Sequence, residues 1–308
     1  MELITTEKDK AEEYKRLQEQ NKDKIHISFS EFSKFQSCGH RHLLEKYLKL
    51  TEEPPSIHLI FGNSVHKAIE LGIKNKSDIE KRVAIFREDF TKEMMDNMRD
   101  SPDYKHMNQF LGEGENIIRY LSTEKILKKY DIIGIEYALY EPLYGVFYFK
   151  GFIDLIVQDK KTKRFVIIDW KTSGEAWDVS KKKKDNIFMA QMRFYKFFFA
   201  RKHQVPLDQI DCTYVVLNRL KNKKFPEFGF GELQTVPIYA TEKDIEESIL
   251  LVADTIKSIH IDNVFPKAKL NGQKGNCFFC PHKNNIGNCN GDDKQYVQLL
   301  KIHQDKIS

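Results

Sequence analysis

Two short, largely apolar runs joined by a polar turn constrain the fold of this chain more than any other feature. The runs cover residues 151–157 and 164–170, and each contains one aspartate, Asp154 in the first and Asp169 in the second. Runs rich in β-branched residues on either side of a short polar turn are typical of a β-hairpin. With the centre of the turn directly after Lys161, the hairpin register places Asp154 opposite Asp169.

The opposed aspartates form a candidate metal site. Directly opposed residues on neighbouring strands have Cβ atoms about 4.5–5.5 Å apart, so the two carboxylates would repel each other. Mg²⁺ neutralises such a pair, because it takes oxygen ligands, often one or two carboxylates, and keeps positions for water and phosphate oxygens. Lys171 lies on the same strand face as Asp169, where it can position a water nucleophile or stabilise charge on a phosphate. The alternative is a solvated hairpin face that carries an Asp–Lys ion pair.

The order Asp154, then Asp169-Trp170-Lys171, resembles the signature of the PD-(D/E)XK nucleases. Other motifs along the chain resemble the RecB-like branch of that superfamily, which includes bacterial recombination nucleases and the CRISPR adaptation nucleases. The resemblance implies an α/β, restriction-endonuclease-like fold with a mixed central sheet flanked by helices. It also implies Mg²⁺ or Mn²⁺ held by Asp154, Asp169 and the backbone carbonyl of Trp170, with Lys171 positioning the water.

Four more residues join this candidate site through the resemblance. His66 follows Gly62 at the spacing of the branch's additional metal ligand, and a core histidine is the alternative. Glu136 lies on an apolar strand, either as a supporting carboxylate of the site or as a solvent-facing residue. Gln191 and Tyr195 match the branch's Gln-x-x-x-Tyr, in which the pair orients the active site and approaches the DNA backbone. Residues four apart share one helix face, so packing of an amphipathic core helix is the alternative for this pair.

The cysteines form a second constellation. The chain has five, and the C-x-x-C pair Cys277 and Cys280 is by itself compatible with zinc, iron–sulfur or redox chemistry. In some RecB-like nucleases one N-terminal and three C-terminal cysteines hold a [4Fe–4S] cluster. Cys38, Cys277, Cys280 and Cys289 fall in the corresponding places, and four thiolates suit such a cluster. The cluster would close a loop of about 240 residues and contribute to folding.

Zinc stays open as the alternative, because this chain departs from the branch's pattern. Eight residues separate the last two cysteines, a longer gap than usual, and Gly39 stands after Cys38 where the branch has proline. His282 lies nearby, and Cys₄ and Cys₃His sites are standard for zinc. Cys212 is interpreted as an ordinary buried strand residue. Disulfides are not expected, since no signal peptide is recognisable and the expected cytoplasmic location (host cytoplasm for a phage-encoded chain) keeps thiols reduced.

Charge supports nucleic acid as the partner. Of 308 residues, 41% are hydrophobic and 31% are charged, which suits a globular domain, and no apolar stretch is long enough for a membrane helix. The formal net charge is +5, and three basic clusters bracket the candidate site, at residues 160–164, 181–184 and 219–224. Basic clusters attract phosphates through counterion release, although a solvated loop is the alternative for any single run. The candidate DNA contacts are Lys181, Lys182, Lys183, Lys184 and Arg193.

The pattern of elements predicts three parts. They are a charged N-terminal arm (1–24), a nuclease domain (25–291) and a C-terminal tail (292–308). Within the nuclease domain, residues 78–128 form a helical insertion, and residues 275–291 form a cysteine knuckle that links the N- and C-terminal parts. Helices are predicted over 25–50, with Ser28 or Ser30 as N-cap, and over 58–73, 186–202 and 242–261. Strands are predicted over 131–140, 145–157, 164–170, 211–218 and 233–239.

The sequence therefore predicts a divalent-metal-dependent DNA nuclease, an exonuclease on single strands or ends, in recombination, repair, replication or phage DNA processing. The alternatives are a non-catalytic DNA-binding or assembly subunit of a recombination complex, and a redox-sensing iron–sulfur protein on the same scaffold. DNA is the expected partner, and no membrane association is expected. Homo-oligomerisation, a recombination or replication partner protein, endonuclease activity and cleavage polarity stay open.

Overall fold

The chain divides into two compact units. This computed structural model describes residues 15–17, 19–50, 55–121, 126, 128–219, 234–268, 280 and 282. The first unit comprises 1–23, 54–141 and 151–245, and the second comprises 24–53, 142–150 and 246–308. The predicted tail lies outside the described residues, as do most of the predicted arm and all of the cysteine knuckle except Cys280 and His282.

A mixed β-sheet of six strands, counted over the described residues, forms the centre of the fold. Its strands are β1 Ile25–Ser28, β2 Tyr130–Tyr144, β3 Phe147–Asp159, β4 Phe165–Ser173, β5 Ile210–Asn218 and β6 Gln234–Ile238. The order is β1-β3-β4-β5-β6, with β2 also paired to β3. The β1–β3 and β4–β5 pairs are parallel, and the β3–β4 and β5–β6 pairs are antiparallel. The predicted α/β fold with a mixed central sheet is confirmed.

Helices accompany the sheet throughout the described chain. They are α1 Phe29–Ser37, α2 Gly39–His42, α3 Ile57–Lys74, α4 Ile79–Asn97, α5 Met107–Tyr120, α6 Val179–Lys182, α7 Asn186–His203 and α8 Glu242–His260. A π-helix covers Leu43–Tyr47, and 3₁₀-helices cover Pro102–His106 and Leu207–Gln209. Among the described helices, none has the length and apolar character needed to cross a membrane. The strands and helices predicted beyond residue 57 are confirmed, with ends that shift by a few residues.

Side-chain caps explain where several helices begin. Ser28, Ser56, Asp78 and Asp185 each accept a hydrogen bond from the backbone N–H three residues further on. Such caps satisfy N–H groups that have no partner inside the helix. The predicted Ser28 cap is therefore confirmed. At α8, Thr241 Oγ1 accepts from the N–H of Asp244 and Asp244 Oδ2 accepts from the N–H of Thr241, which is a capping box.

The core of the first unit lies between the sheet and helices α3, α4 and α5. Phe61 of α3, Phe86 and Phe90 of α4 and Phe110 of α5 are buried, with ring centroids 5.3–6.5 Å apart. Edge-to-face and offset contacts of this kind add to the gain from burying the rings. The same apolar cluster includes residues of β3, β4 and β5. Helix α3, which carries His66, is thus packed firmly beside these strands.

In the second unit, the prediction of one helix over residues 25–50 was wrong at its start. Ile25–Ser28 form β1, which pairs in parallel with Phe147–Lys150 of β3. The four residues alternate apolar and polar side chains, as a half-buried strand does. Their partner strand lies far along the chain, so the alternation alone was too short to reveal the pairing. The helical stretch is also interrupted, because Cys38 has an extended backbone between α1 and α2.

Gly39 is required by a close backbone approach within the second unit. A Cβ at this position would lie 2.7 Å from Pro266 Cδ and 2.9 Å from Pro266 N. The N–H of the next residue, His40, donates to the carbonyl of Pro266 at 3.1 Å. A side chain at this position would overlap Pro266, so glycine is the residue that fits here.

Candidate active site

The β3–β4 hairpin has the predicted register. Leu155 pairs with Ile168, so Asp154 lies opposite Asp169 one position further along. The Oδ2 atom of Asp154 accepts a 2.7 Å hydrogen bond from the backbone N–H of Trp170. The carboxylate of β3 is thereby fixed directly against β4. The hairpin brings together the two aspartates that the sequence singled out.

Asp169 is buried at the bottom of the site, with 2% of its surface exposed. Its Oδ2 atom lies 2.6 Å from Lys171 Nζ, and its Oδ1 atom accepts a 2.9 Å hydrogen bond from Gln191 Nε2. Gln191 Nε2 also donates to the hydroxyl of Tyr195 at 3.1 Å. The four-residue spacing places both side chains of α7 on the face towards β4. One polar network therefore joins Asp169, Lys171, Gln191 and Tyr195.

His66 of α3 lies beside the first aspartate. Its Nδ1 atom is 3.6 Å from Asp154 Oδ2. Burial lowers the pKa of His66 to about 3, helped by the positive charge of Lys171 and opposed by a hydrogen bond with the backbone of Trp170. The neutral imidazole is the form that binds metals. The structure thus places His66 at the edge of the aspartate pair in its neutral form.

Gly62 lies one helical turn before His66 and controls how closely α3 approaches the sheet. A Cβ at Gly62 would lie 3.2 Å from Oγ1 of Thr172 on β4. That contact is tight, so a side chain at Gly62 would force either the Thr172 hydroxyl or α3 to shift by a few tenths of an ångström. The glycine therefore helps to keep His66 near Asp154.

Glu136 of β2 has an unusual backbone conformation. Its φ of +47° is left-handed, which is unfavourable for a residue with a Cβ by about 1–2 kcal/mol. Strain of this kind is concentrated at functional sites. The negative charge of Glu136 contributes to raising the pKa of both Asp154 and Asp169, so its carboxylate lies near the pair. The geometry favours the supporting-carboxylate interpretation over that of a solvent-facing residue.

The electrostatics of the site are dominated by like charges in a buried setting. Burial raises the pKa of Asp154 well above its ordinary value, and repulsion from Asp169 and Glu136 raises it further. Burial also raises the pKa of Asp169, although Lys171 opposes the shift. Burial acts against the charge of Lys171, but attraction to Asp169 and Asp154 outweighs it and raises the lysine pKa. The Lys171 ammonium is therefore attracted by Asp169 and Asp154, and Glu136 adds further negative charge near the aspartate pair.

The residues present fit a hard divalent cation by the chemistry of their donor atoms. Asp154, Asp169 and Glu136 offer carboxylate oxygens, and the neutral imidazole of His66 offers nitrogen. Within the described part of the chain, no three His, Cys, Asp or Glu side chains are already gathered as a metal site. The two aspartates instead contact the Trp170 N–H and the lysine ammonium. A metal would have to take over these carboxylate contacts, which it could do by relieving the repulsion between them.

Sequence reasoning missed Tyr214, which lies at the centre of the site. The register of β4 with β5 places it beside Asp169. Its hydroxyl donates to the carbonyl of Phe188 at 2.8 Å, and Lys171 Nζ lies 5.6 Å from the centroid of its ring. A tyrosine inside an apolar run looks like a core residue, and only the pairing of the two parallel strands shows its neighbours.

The predicted DNA contacts fall into two environments. Lys181, Lys183 and Lys184 are exposed and Lys182 is half-buried, shortly after β4. Arg193 is instead buried in α7, with Nη2 3.3 Å from Oδ1 of Asp244. This geometry favours a packing role for Arg193 and leaves the lysines available to a ligand.

The structure describes two of the four predicted cluster cysteines, Cys38 and Cys280, whereas Cys277 and Cys289 lie outside the described residues. Both described cysteines are half-buried and form no disulfide. The Sγ atom of Cys38 accepts a 3.4 Å hydrogen bond from the N–H of Arg41 at the start of α2. Cys212 is buried in β5, and burial raises its pKa to about 12, as expected for an unreactive core cysteine.

A mixed sheet that carries two opposed aspartates, with a lysine two positions beyond the second, is the arrangement expected of a nuclease. The chain belongs to the PD-(D/E)XK nuclease superfamily, whose family model matches residues 26–285. No curated protein matches the chain. A similar solved structure, titled "Crystal structure of SSO0001", is 14% identical, with 79% of this chain and 91% of that chain covered and a TM-score of 0.30. That similarity is too low to support any structural argument.

Proposed function

We propose that this protein is a divalent-metal-dependent deoxyribonuclease that acts as an exonuclease on single-stranded DNA or DNA ends, in recombination, repair, replication or phage DNA processing. One observation carries the proposal: Asp154, Asp169 and Lys171 converge at one end of the β3–β4 hairpin. Superfamily membership supports nuclease chemistry. The presence of all three residues in mutual reach supports a working site over a degenerate, purely DNA-binding one.

Asp154 and Asp169 would hold Mg²⁺ or Mn²⁺, with His66 and the carbonyl of Trp170 as further ligands. When bound, such an ion acidifies water and stabilises negative charge on the attacked phosphate. The neighbouring Glu136 adds negative charge to the site, which favours a cation there. The neutral form of His66 leaves its nitrogen lone pair free for this role.

Lys171, Gln191 and Tyr195 would position the reacting groups. Lys171 lies on the same face as the aspartates, where it can orient the attacking water or stabilise charge on the phosphate. Gln191 donates to Asp169 and to Tyr195, so it fixes the carboxylate orientation from the buried side. Groups that orient a metal ligand in this way commonly matter for activity nearly as much as the ligand itself.

We also propose that Cys38, Cys277, Cys280 and Cys289 hold a structural [4Fe–4S] cluster, with zinc as the alternative. The two described members are half-buried and not disulfide-bonded, as a thiolate site requires. Iron, acid-labile sulfide and zinc measured on protein purified without oxygen would distinguish the two. We expect four irons per chain for a [4Fe–4S] cluster. One zinc per chain would indicate a zinc site instead of the cluster. The absence of both iron and zinc would refute both interpretations.

The test of the nuclease proposal is digestion of end-labelled linear DNA and of circular DNA, single- and double-stranded, with Mg²⁺, Mn²⁺ or EDTA. We expect metal-dependent loss of linear single strands, with circles spared and with cleavage absent from Asp154→Ala. Asp208→Ala is a matched control, since Asp208 is an exposed carboxylate away from the site. Cutting of circular DNA would show that the protein is an endonuclease rather than an exonuclease. A folded protein that binds DNA and cleaves none of these substrates would contradict the proposal.

A further inference from the structure

A cleft with a volume of about 370 Å³ opens at the end of β4, beside the candidate active site. Its lining includes Ser173, Trp177, Lys181 and Lys182. Ser173 lies four residues beyond Asp169 on the same strand, which is about 13 Å at 3.3 Å per residue. The cleft is therefore separate from the proposed metal site but within reach of the same polymeric substrate.

Trp177 is held in this cleft by a buried glutamine of β6. The Oε1 atom of Gln234 accepts a 2.7 Å hydrogen bond from the backbone N–H of Trp177, and its Nε2 atom donates to the backbone carbonyl of Trp177 at 2.9 Å. The rings of Phe188 and Tyr214 pack against the indole at centroid distances of 5.2 and 6.0 Å. The half-buried indole is thus preorganised, so binding a ligand costs it little further conformational freedom.

Lysine side chains lie against aromatic rings along this surface. Lys182 Nζ is 4.8 Å from the centroid of Trp177, and Lys183 Nζ is 5.4 Å from the centroid of Tyr239. Tyr239 is 77% exposed, so burial of its ring does not explain its presence. Proteins bind unpaired nucleic acid with this combination, in which bases stack on aromatic rings and cationic side chains follow the phosphates. Lysine stems are flexible, so an ammonium can move from a ring face to a phosphate and leave the face to a base.

The carboxylates of the cleft are largely occupied by local partners. Asp178 accepts backbone N–H groups at the start of α6 and lies 3.4 Å from Lys181 Nζ. Asp185 caps α7 in the same way. Glu175 is the remaining acidic residue of the lining, and it is exposed. The ammonium groups beside Trp177 and Tyr239 are therefore not the ones paired with Asp178.

We propose that Trp177 and Tyr239, with Lys182 and Lys183, form a subsite that binds an unpaired DNA strand and delivers its end to the aspartate site. The delivery rests on the proposed nuclease function, whereas binding of the strand does not. A duplex keeps its base faces stacked, so only an unpaired strand can offer them to the rings. The distance of about 13 Å corresponds to about four stacked nucleotides at 3.4 Å each. A strand that spans both the cleft and the aspartate site is therefore longer than about four nucleotides.

Tryptophan fluorescence gives a direct measurement. The chain has two tryptophans, and Trp170 is 2% exposed, so quenching by a stacked base reports on Trp177. The experiment titrates a thymidine dinucleotide and a decanucleotide into uncleaving Asp154→Asn protein, with fluorescence anisotropy of a labelled strand as the measure of affinity. We expect quenching at lower concentrations of the decanucleotide than of the dinucleotide, because the longer strand can contact both the rings and the lysines. Trp177→Phe should abolish the quenching and keep affinity within about threefold, whereas Trp177→Leu should weaken binding about tenfold.

A matched pair of double variants tests the lysines. Lys182→Gln with Lys183→Gln removes two charges at the subsite, and Lys161→Gln with Lys163→Gln removes two at the hairpin turn, at the other end of β4. We expect the first pair to weaken strand binding about tenfold. It should also reduce the salt dependence of binding by about 1.4 in log–log slope, at about 0.7 for each phosphate that is no longer neutralised. The second pair should change neither quantity appreciably.

Three results would overturn the inference. They are strand binding without tryptophan quenching, equal weakening of binding in both lysine pairs, and equal quenching by a duplex. Melting temperatures check that each variant is folded. If Trp177→Leu does not fold, Trp177→Phe and the two lysine pairs still decide the test. Quenching without any cleavage by the wild-type protein would support the subsite and refute the nuclease proposal. Cleavage by the wild-type protein without quenching would support the nuclease proposal and refute the subsite.

Discussion

At the scale of single residues, the two oxygens of Asp169 have different partners. Oδ1 accepts from Gln191 on the buried side, and Oδ2 faces the ammonium of Lys171. The first contact holds the carboxylate in one orientation, and the second is the one that a cation would displace. These roles could be anticipated only in part, because the hairpin turn predicts the opposition of Asp154 and Asp169 but not which oxygen meets which partner.

Gln191→Met should reduce activity by about 10–100-fold, the usual effect of removing a group that orients a metal ligand. The variant should show a lower kcat and a higher metal concentration for half-maximal rate, with little change in KM for DNA. Tyr195→Phe is the milder comparison, since Gln191 keeps its bond to Asp169. Rates measured over a series of Mn²⁺ concentrations would check this. An unchanged metal requirement in Gln191→Met would contradict the positioning role.

Glu31 makes a pH-dependent contribution to the second unit. Burial raises the pKa of Glu31, but hydrogen bonds and attraction from His42 and Lys46 outweigh it, so the pKa lies below its ordinary value of 4.5. A carboxyl group whose folded pKa is lowered stabilises the fold above its unfolded pKa and loses that effect as the pH falls through the folded value. Thermal unfolding of the wild type and Glu31→Gln should therefore differ at neutral pH and converge as the pH falls from 4.5 through the lower folded pKa. A difference that persists unchanged in acid would refute the assignment.

At the scale of elements, a hairpin is predictable from sequence, whereas a parallel pair is not. The β3–β4 register follows from one short turn. The β4–β5 register, which brings Tyr214 to Asp169, depends on how α7 crosses between the two strands. The hydrogen bonds between Gln234 and Trp177 could not be predicted either, because contacts between segments far apart in the sequence leave no local pattern. The short β1 was missed for the same reason.

Two glycines of α5 should respond in opposite ways to alanine. A Cβ at Gly114 would overlap the buried ring of Phe86 on α4, whereas a Cβ at Gly112 meets open space. Gly114→Ala should therefore destabilise the protein by about 1–3 kcal/mol through overpacking. Gly112→Ala should stabilise it by about 0.5–1 kcal/mol, since alanine suits a helix better than glycine. Urea unfolding of both variants checks the pair, and equal effects would show that α4 and α5 do not pack as described.

At the scale of the whole molecule, one end of the β3–β4 hairpin gathers most of the chemistry of the first unit. Helix α3 supplies His66, β2 supplies Glu136 and α7 supplies Gln191, each from a different part of the sequence. The opposition of the two aspartates could be predicted because it depends on a local pattern, and the class of fold because the motifs resemble those of a known superfamily. The lysines of the subsite could be predicted from their cluster in the sequence, whereas Trp177 and Tyr239 could not, since they lie in ordinary loop sequences.

The most direct test of the central claim is the rate of cleavage of a labelled single strand by three proteins at equal DNA occupancy. These are the wild type, Asp154→Asn and Lys171→Met, each with Mn²⁺ in excess and each confirmed as folded by its thermal unfolding. If the aspartates and the lysine form the catalytic site, both variants should bind the strand while losing about a hundred- to a thousandfold in rate, the range for removing one preorganised electrostatic group. Cleavage by either variant at a rate close to that of the wild type would contradict the account.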